Sequence, residues 1–194
     1  MNIQYDFDEF FSSALAIESY APHSLHFSYN IFLDYFSKPR SPTEVYAAAY
    51  MVYGWMPTML RLKGPTEQIL FLYEHSARLQ VTPNILSECS KTMNNSVVGS
   101  SKFMHFIQPT YYPIWDSRVY RALFSQQPHP YRVEDPSLYF DYLELVHQLC
   151  KDPRFLRLHQ RVQDEAGYPL SGCRVAELCL YALGSKKTKK DVKS

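Results

Sequence analysis

The sequence predicts an all-α fold, and three observations lead to it. Apolar residues recur three and four positions apart along most of the chain, which is the spacing of one face of an α-helix. Prolines stand near the starts of the predicted helices rather than inside them. No convincing β-hairpin is present, although residues 111–115 are aromatic and β-branched enough to suit a strand. We therefore expect a compact helical domain of about nine to ten helices, built as one body or as two small lobes.

The first half of the chain predicts five helices. The first covers residues 7–19 behind acidic residues that suit a helix N-terminus, and residues 24–37 repeat its spacing. The third is expected to start after Ser41, because Ser41, Pro42 and Glu44 have the pattern of an N-cap, a first-turn proline and an acidic N3 residue. Pro57 should end or kink it. Two more helices are expected from Pro65 to about residue 79 and from Thr82 to about residue 93.

The second half of the chain predicts a turn at residues 94–101, followed by five helices. One helix carries Lys102, a connection runs from Pro109 to Pro113, and a second helix begins at Asp116. Three more are expected near residues 137–150, 153–166 and 171–183. Beyond Gly184 the basic run 186–190 has no apolar periodicity. We predict one helical domain over residues 1–184 and a basic disordered tail over 185–194, with weak phosphate binding as the alternative role of the tail.

Composition indicates a globular protein without a membrane segment. The chain has 194 residues, 46% hydrophobic and 20% charged, enough to bury one sizeable core. No stretch approaches the roughly 20 apolar residues that span a bilayer, and the N-terminal segment is acidic rather than a basic leader. The four cysteines show no C-x-x-C spacing. We therefore expect reduced thiols in a cytoplasmic protein, no membrane partner, and an oligomeric state that the sequence leaves open.

The net charge and the aromatic content indicate what kind of partner the chain could bind. A net charge of +1 gives no overall attraction to nucleic acid, so such binding would need a local basic patch. The 16 tyrosines and 12 phenylalanines exceed what a minimal helical core requires. Some of these rings are expected to line a groove or pocket.

Lys102 is the first candidate for chemistry. On a helix it shares a face with His105 and Phe106, while Phe103 can anchor a neighbouring face in the core. Burial disfavours the ammonium form, so a lysine at the rim of such an aromatic surface can become a nucleophile at neutral pH. The alternative is a surface lysine that extends its amine into water. His105 is a candidate for proton transfer, and its alternative is a hydrogen-bonded core histidine.

Asp116 is the second candidate. It follows Pro113, precedes Ser117 and Arg118, and is well placed to cap a helix. A carboxylate in that position accepts backbone N–H bonds and should stay ionised. Its structural role is the cap itself, and its functional role would be to stabilise positive charge at a sugar carbon.

Together these two segments resemble the helix-hairpin-helix DNA glycosylases, in particular the 8-oxoguanine glycosylase branch and its bacterial relatives. The segment from Gly99 to Phe106 is similar to the start of their lysine-bearing helix, and the segment from Pro113 to Val119 is similar to their aspartate segment. The resemblance covers about twenty-five residues. It implies that Lys102 is the nucleophile and Asp116 the catalytic carboxylate, with no metal or organic cofactor.

The chain departs from the family pattern at the hairpin. Family members have a G-x-G turn whose amides hold a DNA phosphate, whereas residues 95–101 contain the single glycine Gly99, followed by Ser100 and Ser101. The interval from Lys102 to Asp116 is shorter than is usual in the family, so Pro109 and Pro113 would have to make a compact turn. The cysteines do not have the iron–sulfur spacing of some relatives, and no cluster is expected.

The resemblance also implies roles for the neighbouring side chains. An extruded base would enter a pocket walled by Phe103, Tyr111 and Trp115, and Arg118 and Arg121 would contact DNA phosphates beside Gly99, Ser100 and Ser101. A later basic stripe offers further phosphate contacts or a solvated helix face: Lys151, Arg154, Arg157 and Arg161.

Three functions remain open on the sequence. The first is a DNA glycosylase, with or without lyase activity, acting on a modified or damaged base. The second is a non-catalytic helical module that binds nucleic acid or protein. The third is an enzyme acting on free nucleosides, which would suit the low net charge and the altered hairpin.

Overall fold

The computed structural model describes residues 3–20, 23–38, 40–56 and 58–191, with the backbone alone for residues 23–27 and 186–191. Within these ranges the chain forms eleven helices and no strand. One isolated antiparallel bridge joins Leu62 to Met93. The predicted all-α class is confirmed, and the strand considered for residues 111–115 does not form.

The helices follow one another through short connections. In chain order they are α1 Phe7–Leu15, α2 His23–Phe36, α3 Pro42–Trp55, α4 Glu67–Ala77, α5 Pro83–Thr92, α6 Val97–Ile107, α7 Ser117–Phe124, α8 Pro130–Val133, α9 Pro136–Lys151, α10 Phe155–Ala166 and α11 Gly172–Asp191. The short α8 has no counterpart in the sequence prediction, because a single turn leaves too few residues for a periodic pattern.

Helix starts follow the capping chemistry of the sequence. Ser41 caps α3 by accepting the N–H of Glu44 at 3.4 Å, and the Glu44 carboxylate accepts the N–H of Ser41 at 2.8 Å, which completes the predicted capping box. Asp116 caps α7 by accepting the N–H of Arg118 at 2.8 Å. Helix α3 ends at Trp55, and Pro57 lies outside the described residues.

The turn between α5 and α6 is shorter than the sequence predicted. Ser96 caps α6 by accepting the N–H of Gly99 at 3.0 Å, so the helix starts at Val97 and Lys102 lies in its middle rather than near its start. Asn94 and Asn95 both adopt left-handed backbone angles, with φ of 61° and 53°. Asparagine tolerates this region better than most residues, so the chain reverses here without the G-x-G turn of the resembled family.

Helix α11 is the central element of the core. Residues 173–180 are all buried, and the helix packs most extensively on α7, with α9, α10 and α1 also against it. A Cβ added at Gly184 would lie 1.9 Å from the carbonyl oxygen of Arg118, so the approach of α11 to α7 requires glycine. The helix continues to Asp191, so the tail predicted from residue 185 starts as helical backbone, and residues 192–194 lie outside the described part.

Most of the aromatic side chains pack in the core or against it. The largest fully buried aromatic side chains are Trp115, Tyr29, Tyr53, Tyr112, Tyr120, Tyr139, Tyr142, Phe10, Phe103 and Phe106. Buried tyrosines need a hydrogen-bond partner, and Tyr139 and Tyr142 donate to the carbonyls of Pro113 and Ile114 at 3.2 and 3.0 Å. These bonds fix the segment that leads into Asp116.

Among the helices described, none is both long enough and apolar enough to cross a membrane.

Candidate functional site

The structure brings Lys102 and Asp116 together. The Lys102 Nζ lies 3.6 Å from Oδ2 of Asp116, and their side chains are 12% and 23% exposed. Both line a cavity of about 440 Å³. An amine and a carboxylate from two different helices therefore meet in one concave, partly closed site.

Their meeting depends on how the segment between α6 and α7 is held. The N–H of Trp115 donates to Oγ of Ser101 at 3.1 Å, which ties the residue before Asp116 to the turn of α6 that carries Lys102. The indole N–H of Trp115 donates to the Val133 carbonyl at 2.7 Å. With Tyr139 and Tyr142 on the preceding carbonyls, the backbone leading into Asp116 is anchored from three sides.

Burial changes the protonation balance of Lys102. Desolvation lowers the pKa of its amine, while the negative charge of Asp116 acts in the opposite direction and raises it. The lowering prevails. Lys102 therefore gives up its proton more readily than a surface lysine does. A nucleophilic amine must be unprotonated, so this shift favours that role.

The cavity wall mixes aromatic and charged side chains. Trp55 and Tyr181 contribute rings, and the Arg118 guanidinium lies 4.6 Å from the centre of the Tyr181 ring. The full lining is Trp55, Met56, Lys102, Ile114, Asp116, Ser117, Arg118, Arg174, Glu177, Leu178 and Tyr181. These residues belong to α3, α6, α7 and α11 and the segments beside them.

The three predicted base-pocket residues do not line this cavity. Phe103 and Trp115 are fully buried in the core, and Phe103 packs edge-on against Phe36. Tyr111 is half-buried and contacts His147 with ring centres 4.8 Å apart. The placement of these three is a correction: the sequence marks them as aromatic, but only the packing of α3 and α11 decides which rings face the cavity.

A buried ion pair on α11 completes the wall and was not expected from the sequence. Arg174 and Glu177 are hydrogen-bonded to each other, and each side chain is 3% exposed. Burial raises the pKa of Glu177 to about 7, against the opposing effect of Arg174. Nε of Arg174 is buried and has no hydrogen-bond partner in the described part of the chain. One signal could have revealed the pair: two charges three residues apart interrupt an otherwise apolar run from Cys173 to Leu183.

His105 is sealed in the core rather than facing the cavity. Its Nδ1 lies 2.7 Å from the Tyr112 carbonyl and its Nε2 lies 2.8 Å from the Tyr29 hydroxyl. Burial lowers the pKa of His105 to about 3, so the ring is neutral, donates from Nδ1 and accepts at Nε2. The His105 side chain does not reach the cavity, so it cannot transfer a proton there as predicted. The alternative holds: His105 is a hydrogen-bonded core histidine.

Gly99, Ser100 and Ser101 are buried and present no surface to a DNA backbone. A Cβ on Gly99 would lie 2.1 Å from the Tyr53 hydroxyl, which itself donates to the Met93 carbonyl at 2.6 Å. Ser100 accepts from Ser90 at 2.9 Å. The expectation that these residues contact phosphates is corrected here, since packing between helices accounts for the small residues.

The N-terminus of α6 is already occupied by a carboxylate of the protein. Glu134, just after α8, accepts the N–H groups of Val97 and Val98 and the hydroxyl of Ser96. Free N–H groups at a helix start favour an anion, and an internal carboxylate satisfies that demand here. The end of the hairpin that would hold a phosphate is closed in this structure.

The predicted basic contacts fall into two groups. Arg118 is exposed at the cavity rim, whereas Arg121 is half-buried and donates to the Gly184 carbonyl at 3.1 Å. In the later stripe, Lys151 and Arg157 are exposed. Two members hold the N-terminal region: Arg154 pairs with Asp8 and Asp152, and Arg161 donates to the carbonyls of Leu15 and Ile17 at 2.6 and 2.9 Å.

The four cysteines are free thiols, and no cluster of three or more His, Cys, Asp or Glu side chains suited to a metal occurs in the described ranges. Comparisons of the chain with protein-family models, curated proteins and solved structures found no match.

Proposed function

We propose that this chain is a DNA N-glycosylase that excises a modified or damaged base, with Lys102 as nucleophile and Asp116 as the stabilising carboxylate. One observation carries the proposal: an amine of lowered pKa and a carboxylate lie 3.6 Å apart in a cavity of about 440 Å³. The resemblance of these two segments to helix-hairpin-helix glycosylases supports the same reaction.

The reaction follows from the two groups. The neutral amine of Lys102 attacks C1′ of the sugar, the C1′–N bond to the base breaks, and its electron pair leaves with the base. Positive charge grows on the sugar at that moment, and the nearby Asp116 carboxylate stabilises it. The covalent product can rearrange to a Schiff base, from which cleavage of the DNA strand is a further chemical step.

Cavity size and wall chemistry suit this substrate class. Pockets for small organic ligands are typically 300–1,000 Å³, and the cavity falls in that range. An extruded base loses its stacking in the duplex, at a cost of a few kcal/mol, and the rings of Trp55 and Tyr181 offer replacement contacts. The exposed Arg118 at the rim supplies a cation where a phosphate would pass.

One observation favours the alternative in which a free nucleoside is the substrate. Glu134 occupies the hairpin amides, and Gly99, Ser100 and Ser101 are buried, so the usual phosphate grip of the resembled family is missing. A nucleoside would need only the cavity. The other alternative is a non-catalytic binding module, in which the Lys102–Asp116 pair would have only a structural role.

Borohydride trapping separates these functions. We would incubate the protein with duplexes that carry 8-oxoguanine, uracil, a methylated purine or an abasic site, reduce with borohydride, and look for covalent protein–DNA adducts. Wild type should form an adduct, and Lys102→Gln should lose it. The control Lys91→Gln removes an exposed lysine that pairs with Glu88 at 2.6 Å and should trap as wild type does.

The other outcomes assign the other functions. Binding of duplex DNA without any adduct or base release would indicate the non-catalytic module. Release of bases from nucleosides, with none from the duplexes, would indicate the nucleoside enzyme.

A further inference from the structure

The cavity contains a second carboxyl group that the proposed reaction has not yet used. Glu177 lies on α11, lines the same cavity as Lys102 and Asp116, and is held by Arg174 one turn earlier on the same helix. Three cations, Lys102, Arg118 and Arg174, therefore share one partly closed site with two carboxyl groups. Asp116 is already committed, because it accepts the N–H of Arg118 with one oxygen and faces Lys102 with the other.

Titratable groups on several helices share the electrostatic surroundings of Glu177. The charged groups that act on it are Arg174 from its own helix, Lys102 from α6 and Asp116 from the N-cap of α7. Three further titratable groups feel its charge: Tyr29 of α2, Tyr142 of α9 and Cys179 of α11. Burial raises the pKa of each of these three, so they stay neutral at neutral pH. Lys102 and Glu177 line the same cavity and act on each other's charge, so a proton can be exchanged between them.

Burial acts on these two groups in opposite directions. It raises the pKa of Glu177 to about 7 and lowers the pKa of the Lys102 amine. Transfer of a proton from the ammonium to the carboxylate removes two charges from a poorly solvated site. Burial favours this neutral pair, and it therefore brings the pKa values of Lys102 and Glu177 closer together.

We propose that Glu177 is the proton carrier of this site, accepting the proton that Lys102 must lose and returning it to the departing base. The proposal rests on the glycosylase function proposed above. The proton moves from Nζ of Lys102 to a carboxylate oxygen of Glu177, directly or through one water, and leaves a neutral amine and a neutral acid. The amine lone pair forms the N–C1′ bond, the C1′–N bond to the base breaks, and the base takes the proton from Glu177 as it leaves. No external acid, base or oxidant is needed.

Arg174 positions the carrier. Its guanidinium bonds to Glu177, lies 4.6 Å from the centre of the Tyr29 ring and 5.9 Å from that of Trp55, and so is held from two helices. The positive charge of Arg174 favours the carboxylate form of Glu177, against the effect of burial.

The test compares Glu177→Gln with wild type on two duplexes, one carrying 8-oxoguanine and one a preformed abasic site, from pH 5.5 to pH 9. Glutamine keeps the shape and can still accept from Arg174, but its amide neither takes up nor releases a proton between pH 5.5 and pH 9. We expect single-turnover base excision to fall about 100-fold or more and to lose its inflection near pH 7. Adduct formation at the abasic site should fall less, since no base has to leave. The control Glu144→Gln alters an exposed carboxylate on α9 and should behave as wild type.

The outcomes are distinguishable. Excision by Glu177→Gln at the wild-type rate, with the inflection retained, would overturn the proton-carrier role while leaving the glycosylase proposal standing. Failure of wild type to excise any base or form any adduct would overturn both. If Glu177→Gln does not fold, Glu177→Asp decides, because a shorter carboxyl should retain the inflection at a reduced rate, and loss of the inflection there would contradict the role.

Discussion

The middle and the N-terminus of helix α6 have different surroundings in this fold. In the middle of the helix, Lys102 lines a cavity, and Oδ2 of Asp116 lies 3.6 Å from its Nζ. At the N-terminus, the backbone amides of Val97 and Val98 are already bonded to Glu134. Lys102 is therefore open to a cavity, whereas the N-terminus of α6, which would bind an anion, is filled by the Glu134 carboxylate. A lysine–carboxylate pair and an open phosphate-binding helix end are therefore separable features, even on one short helix.

The largest expected effect comes from removing the charge of Asp116. Asp116→Asn keeps the helix cap, because asparagine caps as well as aspartate, but it removes the anion beside the developing sugar cation. We expect adduct formation and base excision to fall about 100- to 1,000-fold, as measured by single-turnover kinetics.

A second N-cap provides the matched control. Asp135 caps α9 with the same geometry, accepting the N–H of Ser137 at 2.8 Å. Asp135→Asn should leave the rates unchanged. Equal rates for wild type and Asp116→Asn would mean that the pair in the cavity is structural.

Gly184→Ala should separate the two helices that carry the cavity wall. The new Cβ would lie 1.9 Å from the Arg118 carbonyl oxygen, so α11 and α7 must move apart and Asp116 must shift relative to Glu177. Overpacking of this kind against backbone costs about 3 kcal/mol of unfolding free energy. Urea denaturation measures it.

Gly54→Ala is the control for that change, because nothing lies within 4 Å of a Cβ added there and Gly54 belongs to helix α3. Alanine in a helix interior is expected to stabilise by up to about 1 kcal/mol. If Gly184→Ala proved no less stable than Gly54→Ala, the tight α7–α11 contact would be refuted.

His105 tests the buried face of the same helix. Its pKa is about 3 in the folded protein against 6.5 in the unfolded chain, so below pH 6.5 the unfolded state binds more protons. Stability from this residue is fully present above pH 6.5 and is lost as the pH falls towards 3, by up to roughly 1.4 kcal/mol per pH unit. His105→Gln should remove this part of the acid sensitivity in urea unfolding at pH 7.5, 5.5 and 4.5. An identical slope in wild type and variant would contradict the sealed position of the ring.

The smallest effect is expected at the closed end of α6. Glu134→Gln removes the negative charge from the helix start but keeps an acceptor, which should cost about 1 kcal/mol of stability. If DNA passes this end, its affinity should rise about two- to fivefold, measured by fluorescence anisotropy at fixed salt.

Glu165→Gln is the companion variant, because Glu165 also bonds a backbone N–H, that of Tyr20 at 2.9 Å, near α1. It should cost a similar stability and leave DNA affinity unchanged. A parallel change in affinity for both variants would show that the effect is one of net charge and not of the hairpin.

Local chemistry made much of the fold predictable from the sequence. The spacing of apolar residues gave the helical class, and Ser41 and Asp116 marked helix starts that the structure confirms. The sequence prediction started α6 too late, because it did not show that Asn94 and Asn95 make the turn with left-handed backbone angles. Nor could it show α8, which is a single turn.

The candidate site was predictable only in part. Lys102 and Asp116 could be named because their segments have a recognisable local pattern, and the structure brings them together. The cavity walls could not, because Trp55 and Tyr181 reach it from helices far away in the chain. Helical spacing placed His105 on the same face as Lys102. In the structure His105 is instead buried in the core, where it is hydrogen-bonded to Tyr29 and Tyr112. Tertiary neighbours, which the spacing does not encode, decide which side chain lines the cavity and which lies in the core.

The most direct test of the central claim is to locate the covalent bond. Wild-type protein would be reduced with borohydride on an abasic-site duplex, digested, and analysed by tandem mass spectrometry for the modified peptide. The account predicts the sugar remnant on Nζ of Lys102. A remnant on another lysine, or its absence from every peptide, would contradict the claim that this amine is the nucleophile.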